Sequence, residues 1–146
     1  MKKVIFSVVL LSLVSIVSAQ NFLGKLYVET TLDANPEFIT NYEVQLGFEF
    51  SEKITANLSY EHLGYEDFDN FNNYSIGLDY KFLDWKWGSL KFGVKAGHDD
   101  DQFSGTGLLK GEVKLFNSLN FVVCPRVCTN LLGTYYETRA GLAFYF

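Results

Sequence analysis

Histidine, proline, cysteine and methionine are scarce in this chain of 146 residues, which holds two, two, two and one of them. With only His62 and His98 available, a hydrolase would need a serine placed to meet one of them and a carboxylate to orient it. Ser104 and Asp99–Asp101 lie near His98, but no local His–Ser motif is present. Beyond residue 19 no apolar run approaches the 18 or so residues that a membrane-crossing helix requires. Basic residues are also few. With Lys2 and Lys3 set aside, ten Lys and Arg face seventeen Asp and Glu, a net charge of −7. That balance excludes nucleic acid as a partner, since it requires a basic face. Internal repeats, linkers and low-complexity segments are absent. Gly105-Thr106-Gly107 lacks the strand-to-helix context of a phosphate loop, and no cofactor motif is found.

The first nineteen residues stand apart. Met1-Lys2-Lys3 is a basic head, residues 4–17 are apolar, and Val17-Ser18-Ala19-Gln20 offers small residues before a cut. This is the pattern of a cleaved signal peptide, 1–19. It leaves one domain, 20–146. Export brings Cys124 and Cys128 into an oxidising compartment. Four residues apart on an extended strand, they would lie about 13 Å from each other. A disulfide accepts Cα separations of about 4.4–6.8 Å. Pairing therefore requires a kink, Pro125 lies between them, and the question stays open.

What the sequence does have is alternation and aromatic residues. From Tyr135 to Phe146, one side carries Tyr136, Thr138, Ala140, Leu142, Phe144 and Phe146, all uncharged. The other carries Glu137, Arg139, Gly141 and Ala143. A period of two sustained over a dozen residues predicts a strand with one apolar and one polar face. Its length fits a tilted bilayer-spanning strand of about 9–11 residues with its ends. Seven more segments show the same pattern: about 22–32, 38–50, 54–62, 74–82, 90–98, 107–115 and 119–127. Pro125 in the seventh cannot donate a ladder hydrogen bond, which predicts a bulge and a weak register there. The connections read as alternately short (51–53, 83–89, 116–118) and long (33–37, 63–73, 99–106, and the segment after 127). Trp85 and Trp87 suit a belt at headgroup level.

On the eight strands the polar faces collect eight cations: Lys25, Lys81, Lys91, Lys95, Lys110, Lys114, Arg126 and Arg139. They also collect seven anions: Glu29, Glu43, Glu49, Glu61, Asp79, Glu112 and Glu137. The apolar faces carry none. A lipid-facing cation costs about 2–4 kcal/mol at mid-bilayer, so the segregation has a physical cause. Gly47, Gly77, Gly93, Gly97 and Gly141 fall on the polar face, where a crowded interior needs small residues. A near-neutral charge mixture also suits an enclosed space, because buried charges must be matched. Eight strands enclose an interior that side chains can just fill. The expectation is a salt-bridged plug. The long connections carry Asp33, Glu37, Glu66, Asp67, Asp69 and Asp99–Asp101 without any Lys or Arg. Asp99, Asp100 and Asp101 are weak metal candidates, although no calcium-loop pattern is met.

An even set of alternating strands that stops on a terminal Phe resembles the small eight-stranded bacterial outer-membrane β-barrels, such as OmpX and the membrane half of OmpA in the porin family. The resemblance covers the whole mature chain and rests on architecture and on Phe146. It implies an all-β, antiparallel up-and-down transmembrane barrel in the Gram-negative outer membrane, with both termini periplasmic. Leu142, Phe144 and Phe146 would be the terminal insertion signal read by the barrel assembly machinery. The implied partners are outer-membrane lipid, lipopolysaccharide and an extracellular ligand or host surface. The implied role is structural or surface contact in the cell envelope, not enzymatic. Three alternatives stand beside it: a narrow conduit for small or hydrophobic solutes, similar to OmpW; a lipid-modifying enzyme; and a secreted soluble lipocalin-like carrier.

Overall fold

A computed structural model describes residues 25–34, 41–65, 68–99, 102–130 and 133–146. The segment that the sequence suggests as a signal peptide, 1–19, lies outside them. Eight strands follow one another: β1 (Lys25–Asp33), β2 (Tyr42–Glu49), β3 (Ile54–Tyr65), β4 (Phe68–Trp85), β5 (Gly88–Asp99), β6 (Gln102–Phe116), β7 (Leu119–Asn130) and β8 (Gly133–Tyr145). Each pairs antiparallel with the next, and β8 pairs back onto β1 from Tyr27↔Tyr145 to Asp33↔Arg139, which closes the barrel. Among the described residues, closure leaves no edge strand.

The eight expected strands are all present, but the connections are not as expected. Segments 63–73 and 99–106 are largely strand. β3 and β4 pair as far as Tyr65↔Phe68, and β5 and β6 as far as Asp99↔Gln102, so only residues 66–67 and 100–101 remain between them. Asn, Asp and Gly in these stretches are turn signals locally. A partner strand continuing alongside overrides them, because strand preference depends on its cross-strand context. The regular alternation of long and short connections is therefore corrected. At the end away from the chain termini, the longest stretch between strands is 34–41, of which 35–40 lie outside the described residues.

Pro125 also departs from expectation. Towards β8 the ladder runs unbroken past it, with Cys124↔Arg139, Pro125↔Thr138 and Arg126↔Glu137, and towards β6 the register is the same before and after it. No bulge forms there. The register shifts lie elsewhere, at Leu63/Tyr65, Lys81/Leu83 and Lys114/Phe116, near strand ends. A proline in a closed wall removes one donor, yet the neighbouring rungs still hold the strand in phase.

The faces sort as the alternation requires. On β4, Tyr74, Ile76, Leu78 and Tyr80 are exposed (64, 63, 54 and 47 %), whereas Asp79 between the last two is 1 % exposed. The buried set is mostly charged, amide and hydroxyl residues, and most large apolar residues point out. On the outward face, Tyr42, Tyr60, His62 and Tyr74 form a ring cluster near the end remote from the termini, with centroids 5.2–6.3 Å apart. Phe144 and Phe146, 5.1 Å apart, lie at the opposite end, where Trp85 and Trp87 are also exposed. Aliphatic Leu46, Leu58, Ile76 and Val94 lie between these bands on neighbouring strands. Two aromatic girdles flanking an aliphatic band match the depth profile of a bilayer.

Candidate functional site

The strand phases bring twelve of the fifteen predicted polar-face charges into ion pairs inside the barrel. They form two clusters. In the one nearer the remote end, the Arg126 guanidinium (β7) meets three carboxylates: Glu43 at 2.9 Å, and Glu61 and Glu137 in close contact. Arg139 (β8) shares two of these acids, pairing closely with Glu61 and lying 3.4 Å from Glu137. Lys95 (β5) crosses to Glu43. Three cations and three acids balance here. A planar guanidinium with five donors suits such multiple bridging better than an ammonium.

The second cluster lies towards the termini. Lys110 (β6) is 2.9 Å from Glu29 and 3.3 Å from Asp79. Lys91 (β5) is 2.7 Å from Glu112 and 3.9 Å from Glu49. Tyr27, fully buried, separates the two lysines, whose ammoniums stand 5.5 and 5.9 Å from its ring centroid. Gln45 donates to the Tyr27 hydroxyl at 2.8 Å. The Tyr145 hydroxyl donates to Glu112 at 2.7 Å and accepts from Lys91 at 3.2 Å, and Asn120 donates to Glu112 at 3.2 Å. These neutral partners satisfy lone pairs that ion pairing leaves open, which is what makes a buried charge tolerable.

Lys25, Lys81 and Lys114 are not brought in. Lys25 and Lys114 are exposed at the terminal end, and among the described residues neither has an ion-pair partner. Lys81 pairs instead with Asp84 at 3.0 Å, where the Lys81/Leu83 shift breaks the alternation. The pairing network therefore holds five cations and seven anions, not eight and seven. The lumen also contains residues that charge counting passes over, namely Tyr27, Gln45, Asn120 and Tyr145, together with the apolar Leu108 and Val122. Tyr145 continues the Glu137, Arg139, Gly141, Ala143 phase, so its side was legible even though its role was not.

Glycine makes room for this filling. A Cβ at Gly47 would overlap the Tyr27 ring, and one at Gly93 would strike the Asp79 carboxylate and Leu108. Cys124 and Cys128 both point inward, buried and free. Cys128 lies 3.6 Å from the Thr106 hydroxyl and 3.5 Å from a Glu137 oxygen. On an unkinked β7 the two thiols stay apart.

The histidines stand outside this network. His62 is 3.0 Å from Asn72 and stacks near Tyr42, and His98 meets Phe103 edge-on. Ser104 bonds Asn73 inside the barrel, on the face opposite to His98. Asp100 and Asp101 lie outside the described residues, as does the side chain of Asp99. Leu142 and Phe144 are exposed on the outer face of β8, and Phe146 donates its backbone N–H to Leu26 at 2.9 Å.

No family model matches the chain, and no curated protein matches it by sequence. Solved structures do. A de novo designed transmembrane β-barrel aligns with TM-score 0.59 at 16% identity, over 85% of this chain and 97% of the design. The outer-membrane protein Ail of Yersinia pestis, solved in a phospholipid bilayer nanodisc, aligns with TM-score 0.58 at 13% identity, over 84% and 97%. The crystal structure of Ail, the attachment invasion locus protein, aligns with TM-score 0.51 at 12% identity, over 86% and 100%. At these identities the likeness concerns the fold: an eight-stranded antiparallel transmembrane barrel.

Proposed function

We propose that this chain is a small outer-membrane protein whose ion-paired lumen makes it a structural and surface-contacting element of the cell envelope, neither a pore nor an enzyme. The observation that carries the reading is the Arg126 guanidinium held by Glu43, Glu61 and Glu137, carboxylates from three other strands, across the middle of a closed barrel. Such a cross-lumen tie leaves little width for solute and stiffens the wall against lateral pressure. The apolar exterior with its aromatic bands supports a bilayer as the surrounding medium. Bacterial outer-membrane lipid and lipopolysaccharide are the partners that follow, with the termini on the periplasmic side. Leu142, Phe144 and Phe146 are proposed as the signal read by the assembly machinery. The surface-contact role draws on the likeness to Ail, the attachment invasion locus protein of Yersinia pestis. The acids at the end remote from the termini would contribute to it.

The test joins fractionation to conductance. The mature protein should enter the outer-membrane fraction, migrate faster unheated than heated in detergent gels, and give no steady current in planar bilayers. A stable large conductance would reject the plug. Recovery as a detergent-independent soluble protein would reject the membrane reading and favour a lipocalin-like carrier.

A further inference from the structure

The two ends of the barrel differ in charge. Beyond residue 19 the chain has ten Lys and Arg, of which five belong to the lumen network. The other five, Lys25, Lys53, Lys81, Lys86 and Lys114, all lie at the end that carries the termini. At the opposite end, Asp33, Glu37 and the acids within 66–69 and 99–101 are accompanied by no Lys or Arg.

A cavity of about 590 Å³ opens at the basic end. Lys91, Glu112 and Tyr145 close it on the lumen side, where they bond to one another. Lys25, Lys81, Lys86 and Lys114 also line it, with Glu49 and Asp84. The three carboxylates are already answered. Glu112 and Glu49 pair with Lys91 at 2.7 and 3.9 Å, and Asp84 pairs with Lys81 at 3.0 Å. Lys25, Lys86 and Lys114 are left over, exposed, and among the described residues none of them has an ion-pair partner. Three spare cations on one cavity attract negative charge, and lysine is a common phosphate binder.

The outer lip of this cavity is apolar. Trp87, Leu115, Phe116 and Phe146 line it and are exposed. The Lys86 ammonium stands 5.2 Å from the Trp87 ring centroid. Tryptophan and lysine side by side at the edge of an apolar belt are the chemistry of headgroup level.

We propose that this mouth binds the headgroup of an anionic phospholipid, its phosphate held among Lys25, Lys86 and Lys114 and its chains lying on the outer wall beside Leu115 and Phe116. Charge and continuity select the occupant. A zwitterionic headgroup brings its own cation to three uncompensated lysines, whereas an anionic one brings net charge of the opposite sign. A soluble anion would satisfy the lysines but leave the apolar lip unused. The inference rests on the bilayer reading above and adds to it a lipid preference confined to the leaflet at the terminal end.

Trp85 and Trp87 are the only tryptophans, and both stand at the β4–β5 turn of this mouth, so they report on it directly. Folded protein is placed in phosphatidylcholine vesicles containing phosphatidylglycerol, with bromine on the chains of one lipid or the other at equal mole fraction. Bromine quenches tryptophan fluorescence on contact. Brominated phosphatidylglycerol should be enriched about fivefold over brominated phosphatidylcholine at these residues, the factor that one lysine contributes at an anionic surface. The preference should vanish in the triple variant Lys25→Gln, Lys86→Gln, Lys114→Gln. It should persist in Lys53→Gln, which removes a cation of the same end that does not line the cavity. Cold-detergent migration verifies that both variants are folded. Quenching by neither lipid would overturn the bilayer reading and this proposal together, whereas equal quenching by both would overturn the lipid preference alone. A preference that survives the triple variant, or is lost equally in Lys53→Gln, would also overturn it. So would its abolition by millimolar inorganic phosphate, which would assign the site to a free anion.

Discussion

Arg126 on β7 reaches Glu43 on β2 at 2.9 Å, joining residues 83 positions apart in the chain straight across the barrel interior. Both are buried. This pair and the acids around it fix the inside of the molecule as firmly as the ladder fixes its wall.

Replacing Arg126 by Met should destabilise the fold by about 3–5 kcal/mol, because Glu43, Glu61 and Glu137 are left buried with fewer counter-charges. Urea titration of folded protein in lipid vesicles measures this. Asp84→Asn, which breaks the exposed pair with Lys81, should change stability by under about 0.5 kcal/mol in the same assay.

Leu58 is 58% exposed on the outer face of β3. Leu58→Lys would be nearly neutral on a solvated surface but should cost about 2–4 kcal/mol in a bilayer. The same vesicle titration distinguishes the two.

The glycines offer a matched pair. Gly47→Ala drives a methyl into Tyr27, whose ring is fully buried and whose hydroxyl is held by Gln45. Overpacking of this kind costs about 1–3 kcal/mol. Gly107→Ala projects into open space on the outer face and should stay within about 0.5 kcal/mol of the parent. Equal costs at both sites would show that Tyr27 does not stand over Gly47.

These contrasts mark what the sequence could convey. Strand number, facing and the identity of the inward charges were legible because a period of two is a local property, read residue by residue along each strand. Who pairs with whom was not. Arg126 could have met any acid on the inner faces, and only the stagger of the closed ladder selects Glu43, Glu61 and Glu137. At 63–73 and 99–106 local turn chemistry predicts loops, and a neighbour that continues the ladder overrides it. Pro125 taken in isolation predicts a bulge, whereas the rungs on either side keep β7 in register. Lys25, Lys81 and Lys114 alternate correctly but lie where the strands leave the enclosed zone, and alternation carries no information about height.

The central claim, that apolar side chains face hydrocarbon and charged ones are enclosed, is tested most directly by a nitroxide scan of β2 in vesicles. Cys124 and Cys128 are first replaced by serine, and single labels are placed from Tyr42 to Glu49. Labels at Val44, Leu46 and Phe48 should show high collision rates with oxygen and low rates with a water-soluble nickel complex. Labels at Glu43, Gln45 and Glu49 should not show that lipid signature. The opposite phase, with the Glu43 and Gln45 positions open to the aqueous complex and the Val44 and Leu46 positions shielded from both, would contradict the account.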